Sequence, residues 1–236
     1  PYPRGRASGV SSFRLPDIDG CGRIARDPKA YAAGSGGRRM EIRRLPATED
    51  AAERYARDLW LPYHRDLAAA ADDHALADRP DEELIAAETA FRLDLLRENP
   101  DRRLWVVAVD PEAAPAGVDS GASDPERLDP EEPAPVGVPD PERDLVAFVS
   151  TSVDACPEVF DRPDRLVVGD IYVAEPYRGT GLADRLIERA GLDARDRDCG
   201  ELRLDVDAGN ERATAFYEKR GFEDYRKQLT VPASEA

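Results

Sequence analysis

From Met40 onward, apolar and polar residues alternate with two kinds of spacing. Short runs of β-branched and aromatic residues have the spacing of strands, and the segments between them repeat every three or four residues, as helices do. The predicted strands are residues 40–45, 104–109, 144–153, 167–173, 201–206 and 222–231. The predicted helices begin near residues 48, 80, 182 and 210. The resulting order, β-α-α-β-β-β-α-β-α-β, predicts an α/β fold.

The first two helices carry clear boundary signals. Thr48 is a good N-cap for the first helix, and Pro62 predicts that this helix ends or kinks near Leu61. The second helix is expected over residues 80–98, before an Asn-Pro pair that stops it. Its buried stripe is predicted to consist of Leu84, Ile85, Phe91, Leu95 and Leu96.

Two segments lack such patterns. Residues 1–39 carry eight Lys or Arg and three Asp, a net charge of +5, and have no sustained apolar period. We expect a disordered or non-native extension with Met40 as the natural start, and a basic arm that contacts a partner is the alternative. Residues 110–143 contain eight prolines and ten acidic residues, a composition that cannot offset the entropy of ordering. We therefore expect a loosely ordered insertion within a single domain of residues 40–236.

The charge of the chain limits its partners. The formal net charge is −16, and only three of the 33 basic residues are lysines. Nucleic acid is not expected as a partner, because binding to phosphates needs clustered cations. An acidic, lysine-poor surface resembles that of proteins from organisms with high internal salt. The sequence has no apolar run of membrane-spanning length and no signal-peptide core, so no membrane partner is expected and a cytoplasmic protein is favoured.

Cysteine and histidine usage gives no metal signature. Cys21, Cys156 and Cys199 have no paired spacing, and we expect three reduced thiols. His64 and His74 lie far from any cysteine and share no ligand spacing with one, so no metal is predicted.

Residues 167–190 combine a strand, a glycine-punctuated turn and the start of a helix. The turn contains Glu175-Pro176 followed by Arg178-Gly179-Thr180-Gly181. The first amides of a helix lack internal partners and the helix dipole favours negative charge there, so the turn predicts a site for a phosphorylated ligand. An ordinary strand-to-helix turn is the alternative. The GxxxxGK[ST] and GxGxxG spacings are absent, which disfavours a Rossmann-type nucleotide domain.

A longer pattern surrounds this turn. Residues 178–183 fit Arg/Gln-x-x-Gly-x-Gly/Ala at every position, IYV precedes them, and a second block follows at the proper distance. This second block contains Leu204, Asp205, Val206, Asn210, Ala213, Phe216, Tyr217, Gly221 and Phe222. On these motifs, residues 40–231 resemble the GNAT superfamily of N-acetyltransferases. The resemblance implies a mixed sheet flanked by helices, in which the fourth and fifth strands splay apart and hold acetyl-CoA between them.

The resemblance also implies how acetyl-CoA, a co-substrate used without a metal, is held. The pyrophosphate would accept hydrogen bonds from the amides of residues 178–184, with the Arg178 guanidinium as a second contact. The pantetheine arm would pair along the end of the fourth strand, and the Val173 amide would polarise the acetyl carbonyl. Asn210 is either a pantetheine contact or a plain N-cap. The implied cofactor-binding residues are Ile171, Tyr172, Val173, Ala174, Glu175, Arg178, Gly179, Thr180, Gly181, Leu182, Ala183, Asp184 and Asn210.

Transfer of an acetyl group to an amine calls for a proton donor and a proton acceptor. The resemblance implies that Tyr217 is the general acid that protonates the leaving thiolate, and a core aromatic residue is the alternative. The attacking amine must lose a proton, although a free alkylamine has a pKa of about 10. Asp170 matches an acidic position in relatives that acetylate polyamines and small amines, and it is the implied base. Asp205, Asp207 and a water chain are its rivals.

The predicted function is therefore acetyl-CoA-dependent N-acetyltransfer, directly to a primary amine in a ternary complex. The acceptor is a small molecule or the amino group of a peptide or protein, and the resemblance implies that residues 48–99 select it. A non-catalytic acyl-CoA-binding sensor or regulatory module is the alternative. A homodimer is left open.

Overall fold

The computed structural model describes residues 40–70, 75–111, 136–137 and 139–235. The predicted extension of residues 1–39 lies outside them, as do most of the predicted insertion and Cys21. Cys156 and Cys199 are free thiols. Among the described helices, none has the length and apolar character that a membrane crossing requires.

The described strands form one five-stranded mixed sheet in which they lie side by side in chain order. Their bounds are Met40–Arg44 (β1), Arg102–Val109 (β2), Asp144–Asp154 (β3), Arg165–Val173 (β4) and Glu201–Leu204 (β5). The first four strands pair antiparallel, and β5 pairs parallel to β4. The predicted α/β class with a mixed sheet is confirmed.

Three helices cover one face of the sheet, and their bounds are Glu49–Tyr55 (α1), Leu61–Ala70 (α2) and Asp81–Glu98 (α3). A π-helical segment, Ala56–Trp60, joins α1 to α2, so the chain does not leave the helix near Leu61. We attribute the wider turn to Pro62, whose ring would clash with the carbonyl four residues earlier in a regular α-helix. Thr48 occupies the predicted N-cap position, although its side chain makes no capping hydrogen bond.

Two helices cover the opposite face, Leu182–Arg195 (α4) and Glu211–Glu218 (α5). One face of α4 is an apolar stripe of Leu182, Leu186, Ile187 and Ala190, and these side chains are buried in the cluster that contains the β4 residues Leu166 and Val168. α5 ends three residues before Gly221, whose φ of +82° is left-handed, as is common just after a helix.

Alternating residues of the central strands divide the core into two apolar clusters. Leu104, Val106 and Phe148 point toward α1, where they pack with Tyr55 and Leu59. The intervening residues of the same strands face α4 and α5, and they include Trp105, Val107 and Val149. Helices therefore cover both faces of the sheet and bury its apolar side chains.

A buried charge network fixes α4 to the sheet. Asp193 is fully buried and forms an ion pair with Arg103 of β2. Its carboxylate also accepts a hydrogen bond from Thr151 Oγ1 at 2.6 Å and lies 3.6 Å from Arg197 Nε. Trp105 Nε1 donates to the same threonine oxygen at 3.3 Å. The network holds the helix that begins directly after the glycine turn.

Arg54 of α1 holds the described end of the predicted insertion. Its guanidinium donates to the carbonyls of Pro139 and Asp140 at 2.9 and 3.0 Å, and also to that of Arg143. These residues lead into β3, so the contact fixes where the chain rejoins the sheet.

Two sequence predictions are wrong. The last predicted strand, residues 222–231, is not a strand, and Leu229 within it is 93% exposed. Its apolar residues are spaced three, four and two apart, so one face of a strand could not bury them together. In α3, Phe91 is 59% exposed, because the buried positions are Ile85, Glu88, Thr89 and Arg92. The face of α3 that meets the protein is therefore largely polar.

Candidate active site

The glycine loop between β4 and α4 has an open face. After β4, residues Glu175–Tyr177 form one turn of 3-10 helix. Gly179 and Gly181 then adopt left-handed φ angles of +79° and +84°, which side chains disfavour. A Cβ added at either glycine would meet no described atom within 4 Å. The loop can therefore be approached closely by a ligand.

The amides at the start of α4 are available to an anion. Arg185 N donates to Gly181 O at 3.2 Å, which is the first turn of helical hydrogen bonding. The amides of Leu182, Ala183 and Asp184 come before it, where a helix offers no carbonyl partner. Thr180 Oγ1 donates to Tyr177 O at 2.6 Å and braces the loop. The donor set fits a pyrophosphate group, as the sequence predicts.

A gap opens beside this loop. The pairing of β4 with β5 ends at Val168 and Leu204, whereas β4 continues to Val173. Ala174 N donates to Val146 O of β3 at 2.9 Å. Because successive residues of a strand direct their backbone groups to opposite edges, the N–H and C=O of Val173 face away from β3, toward the gap. The splayed strands that the sequence resemblance implies are present.

Arg178 lies along this edge of β4. Its Nε donates to Val173 O at 3.0 Å, and its guanidinium forms an ion pair with Asp66 of α2. The guanidinium carbon is also 5.9 Å from the centre of the Tyr172 ring. Arg178 is thus held at the mouth of the gap by side-chain and backbone partners.

Residues of α5 form the far wall. Asn210 Oδ1 accepts a hydrogen bond from Ala213 N at 3.0 Å, so its N-cap role is confirmed. Arg220 forms an ion pair with Asp184 and ties the end of α5 to the first turn of α4. The two helices therefore frame the gap from the same face of the sheet.

Tyr217 is buried on this face of the sheet. It packs edge-on against Phe216 and Phe222, in the apolar cluster that also contains Val173 and Leu204. Burial raises the pKa of the Tyr217 phenol above its ordinary value of 10.0. The hydroxyl therefore keeps its proton at neutral pH.

Asp170 lies on the opposite face of the sheet. Its Oδ1 accepts a hydrogen bond from Tyr63 of α2 at 3.2 Å, and its amide donates to Ser150 Oγ at 3.0 Å. Ser150 is opposite both Gly169 and Asp170, where β4 carries a bulge. An extra residue of this kind bends a strand and redirects its side chains.

The hydroxyl of Tyr63 is the group of α2 that contacts Asp170 directly. Burial raises the pKa of Tyr63, the charge and hydrogen bond of Asp170 raise it further, and Tyr217 and Asp207 add smaller effects. The rival base Asp205 is 72% exposed at its side chain and lies 3.8 Å from Arg203. Asp170 is the candidate that a tyrosine already orients.

A buried ion pair lies on α3. Arg92 Nε donates to Glu88 Oε1 at 2.7 Å, and its guanidinium lies 5.2 Å from the Tyr55 ring centre. The Tyr55 hydroxyl is buried without a hydrogen-bond partner among the described residues. Burial raises the pKa of the Glu88 carboxyl, against the opposing charge of Arg92, and Asp170 raises it further.

Residue patterns did not single out Tyr63, Asp66, Glu88 or Arg92 for this site. Tyr63 and Asp66 are three residues apart, so they share one face of α2. The spacing of Glu88 and Arg92 suits a helical ion pair, but such pairs are usually solvent-exposed. Neither spacing indicates which residues of the sheet these helix residues contact.

Two observations limit other kinds of site. No group of three His, Cys, Asp or Glu side chains within the described residues is arranged to hold a metal ion. A surface depression between β3 and β4 is lined by Asp154, Phe160 and Arg162, and it contains none of the residues above.

The fold and this loop define an α/β protein whose parallel strand pair splays apart beside a glycine loop suited to a phosphorylated ligand. The chain belongs to the acetyltransferase (GNAT) family, whose model matches residues 39–222.

Relatives agree with this assignment. Thialysine N-epsilon-acetyltransferase of Bos taurus is 40% identical over 55 residues, which cover 23% of this chain and 32% of that protein. The match therefore spans about a third of this curated relative's length.

Solved structures share the fold. The tetramutant of the BH1408 protein from Bacillus halodurans has a TM-score of 0.52 at 17% identity, covering 81% of this chain and 98% of that one. An aminoglycoside N-acetyltransferase in complex with CoA has a TM-score of 0.51 at 14% identity, covering 83% and 95%. At these identities the likeness concerns the fold alone.

Proposed function

We propose that the chain is an acetyl-CoA-dependent N-acetyltransferase that transfers the acetyl group directly to a primary amine. One observation carries the proposal: the available amides that begin α4 lie beside the gap where β5 leaves β4. Two residues near β4 would supply the acid and the base. Tyr217 packs in the apolar cluster that includes Val173 on one face of the sheet, and Asp170 of β4 lies on the other face.

Several groups of this chain suit CoA. The amides of residues 181–184 would hold the pyrophosphate, whereas the Thr180 amide already donates to Tyr177 O at 3.4 Å. Arg178 would add a charged contact. The backbone of Val173 faces the gap, so its N–H can bind the acetyl oxygen and its C=O the pantetheine arm. Acetyl-CoA, when bound, supplies an electrophilic carbonyl and a thiolate leaving group.

Asp170 and Tyr217 would move the protons. Asp170 accepts a proton from the incoming ammonium, so the neutral amine forms its N–C bond while the C–S bond breaks. Tyr217 donates its phenolic proton to the departing sulfur. The amine proton released as the amide forms then replaces the proton that Tyr217 gave up. Tyr63 keeps the Asp170 carboxylate oriented toward the acceptor.

The acceptor we propose is a small cationic amine. Asp170, Glu88 and Asp66 put three carboxylates near one face of α2 and α3, while Arg92 and Arg178 are the nearby cations. The rings of Tyr63 and Tyr172, with centres 5.6 Å apart, lie beside Asp170 and Arg178 and would favour a cation. The name of the bovine relative, which acts on thialysine, is consistent with a small amine.

The test compares Tyr217→Phe with wild type by thiol release from acetyl-CoA across polyamines, lysine analogues, aminoglycosides and peptides. We expect turnover to fall by about 10²–10⁴-fold while CoA still binds, because a general acid typically contributes that much. Tyr225→Phe changes an exposed tyrosine and serves as the control.

Two results would contradict the proposal. Wild-type turnover by the Tyr217→Phe variant would remove the acid role. CoA binding without transfer to any amine would favour a non-catalytic acyl-CoA-binding module.

A further inference from the structure

One face of α2 contacts two residues of the proposed site. Tyr63 donates to Asp170, and Asp66, one helical turn later, forms an ion pair with Arg178. These partners lie more than 100 residues away along the chain, at β4 and at the glycine loop. α2 therefore contacts the proposed base, Asp170, through Tyr63. It contacts Arg178, at the proposed cofactor site, through Asp66.

Arg178 has more than one partner along this edge. Its Nε donates to Val173 O at 3.0 Å, and its Nη2 binds Asp66. Burial raises the pKa of the Tyr172 hydroxyl, and the neighbouring charge of Asp66 raises it further, so this carboxylate also lies close to β4. The guanidinium thus lies across the strand edge where the pantetheine arm would pair.

We propose that Asp66 is a positioning residue of the cofactor site, which competes with the cofactor's pyrophosphate for Arg178. This inference rests on the proposed function. The guanidinium has enough N–H donors for two anions, but the Asp66 carboxylate neutralises part of its charge and repels a second anion beside it. Cofactor binding therefore exchanges one anionic partner of Arg178 for another and releases the Asp66 carboxylate on the acceptor side of β4. A cationic amine then gains a carboxylate only after the cofactor has bound.

The experiment measures the Kd of CoA by titration calorimetry with wild type and Asp66→Asn. The variant weakens the competing partner, so CoA should bind about two- to fivefold tighter, the range expected for an exposed ion pair. The gain should shrink in high salt, because exposed charges are screened.

Matched controls separate the contact from general charge. Glu53→Gln removes one acid that is also about half exposed, 47% against 48% for Asp66, and pairs with Arg57 on α1. It should leave the Kd of CoA unchanged. Arg178→Gln should weaken CoA binding, and adding Asp66→Asn to it should have no further effect.

The outcomes are distinct. An Asp66→Asn variant with the wild-type Kd overturns the inference, as does an equal gain with Glu53→Gln or a gain that persists beside Arg178→Gln. Failure of wild type to bind CoA would overturn the proposed function along with it. Thermal unfolding of each variant checks that the fold is intact.

Discussion

The buried Asp193 network offers a sharp test of how α4 is held. Asp193→Asn keeps the shape of the side chain but removes its charge, which leaves Arg103 and Arg197 facing a neutral amide. Asp193 is fully buried and the two cations are largely shielded from solvent, so water cannot replace the lost interaction. Breaking one partner of a buried ion pair costs about 3–5 kcal/mol.

The matched control is Glu53→Gln on α1. Glu53 and its partner Arg57 are both about half exposed and lie 2.5 Å apart, so the loss of this pair should cost about 0–1 kcal/mol. Urea unfolding of the three proteins measures both changes as shifts in midpoint at constant slope. A loss below about 1 kcal/mol for Asp193→Asn would refute the reasoning, since it would equal that of an exposed pair.

Two further predictions concern the loop and α3. Gly181→Ala should lower the free energy of unfolding by about 1–2 kcal/mol, because φ is +84° there. Gly191→Ala, inside α4, should instead raise it by about 0.5–1 kcal/mol. Glu88→Gln should gain stability relative to wild type as pH rises above about 4.5. The folded state holds the Glu88 proton more tightly, so its stabilising contribution is complete below the unfolded pKa and lost as pH rises through the raised folded pKa.

Urea titrations check each of these. Changes of the same sign for the two glycine variants would contradict the assignment of Gly181 to a left-handed conformation. For Glu88, the relevant quantity is the stability difference between the variant and wild type from pH 4 to pH 8. A difference that is flat or falls with pH would contradict the raised pKa.

The glycine loop and its helix could be predicted from the sequence because their signals are local. Gly179, Gly181 and the apolar stripe of α4 lie within a few residues of one another, and each has one physical meaning. The second block, which contains Asn210 and Tyr217, predicted the helix on the other side of the gap between β4 and β5. These elements needed no knowledge of distant contacts.

The partners across the sheet could not be predicted. Asp66 and Arg178 are 112 residues apart, and Tyr63 and Asp170 are 107 apart. In a chain with 49 acidic residues, no pattern distinguishes Asp66 or Asp193 from surface acids. The prediction of the last strand was wrong for a related reason. Residues 222–231 have the composition of a strand, but their apolar residues do not alternate with polar ones as they would in a strand.

A crystal structure with CoA tests the central proposal most directly. We predict that pyrophosphate oxygens lie about 3 Å from the amide nitrogens of residues 181–184, with Arg178 turned from Asp66 toward the phosphates. CoA bound elsewhere, for example in the depression lined by Asp154 and Phe160, would contradict the proposal.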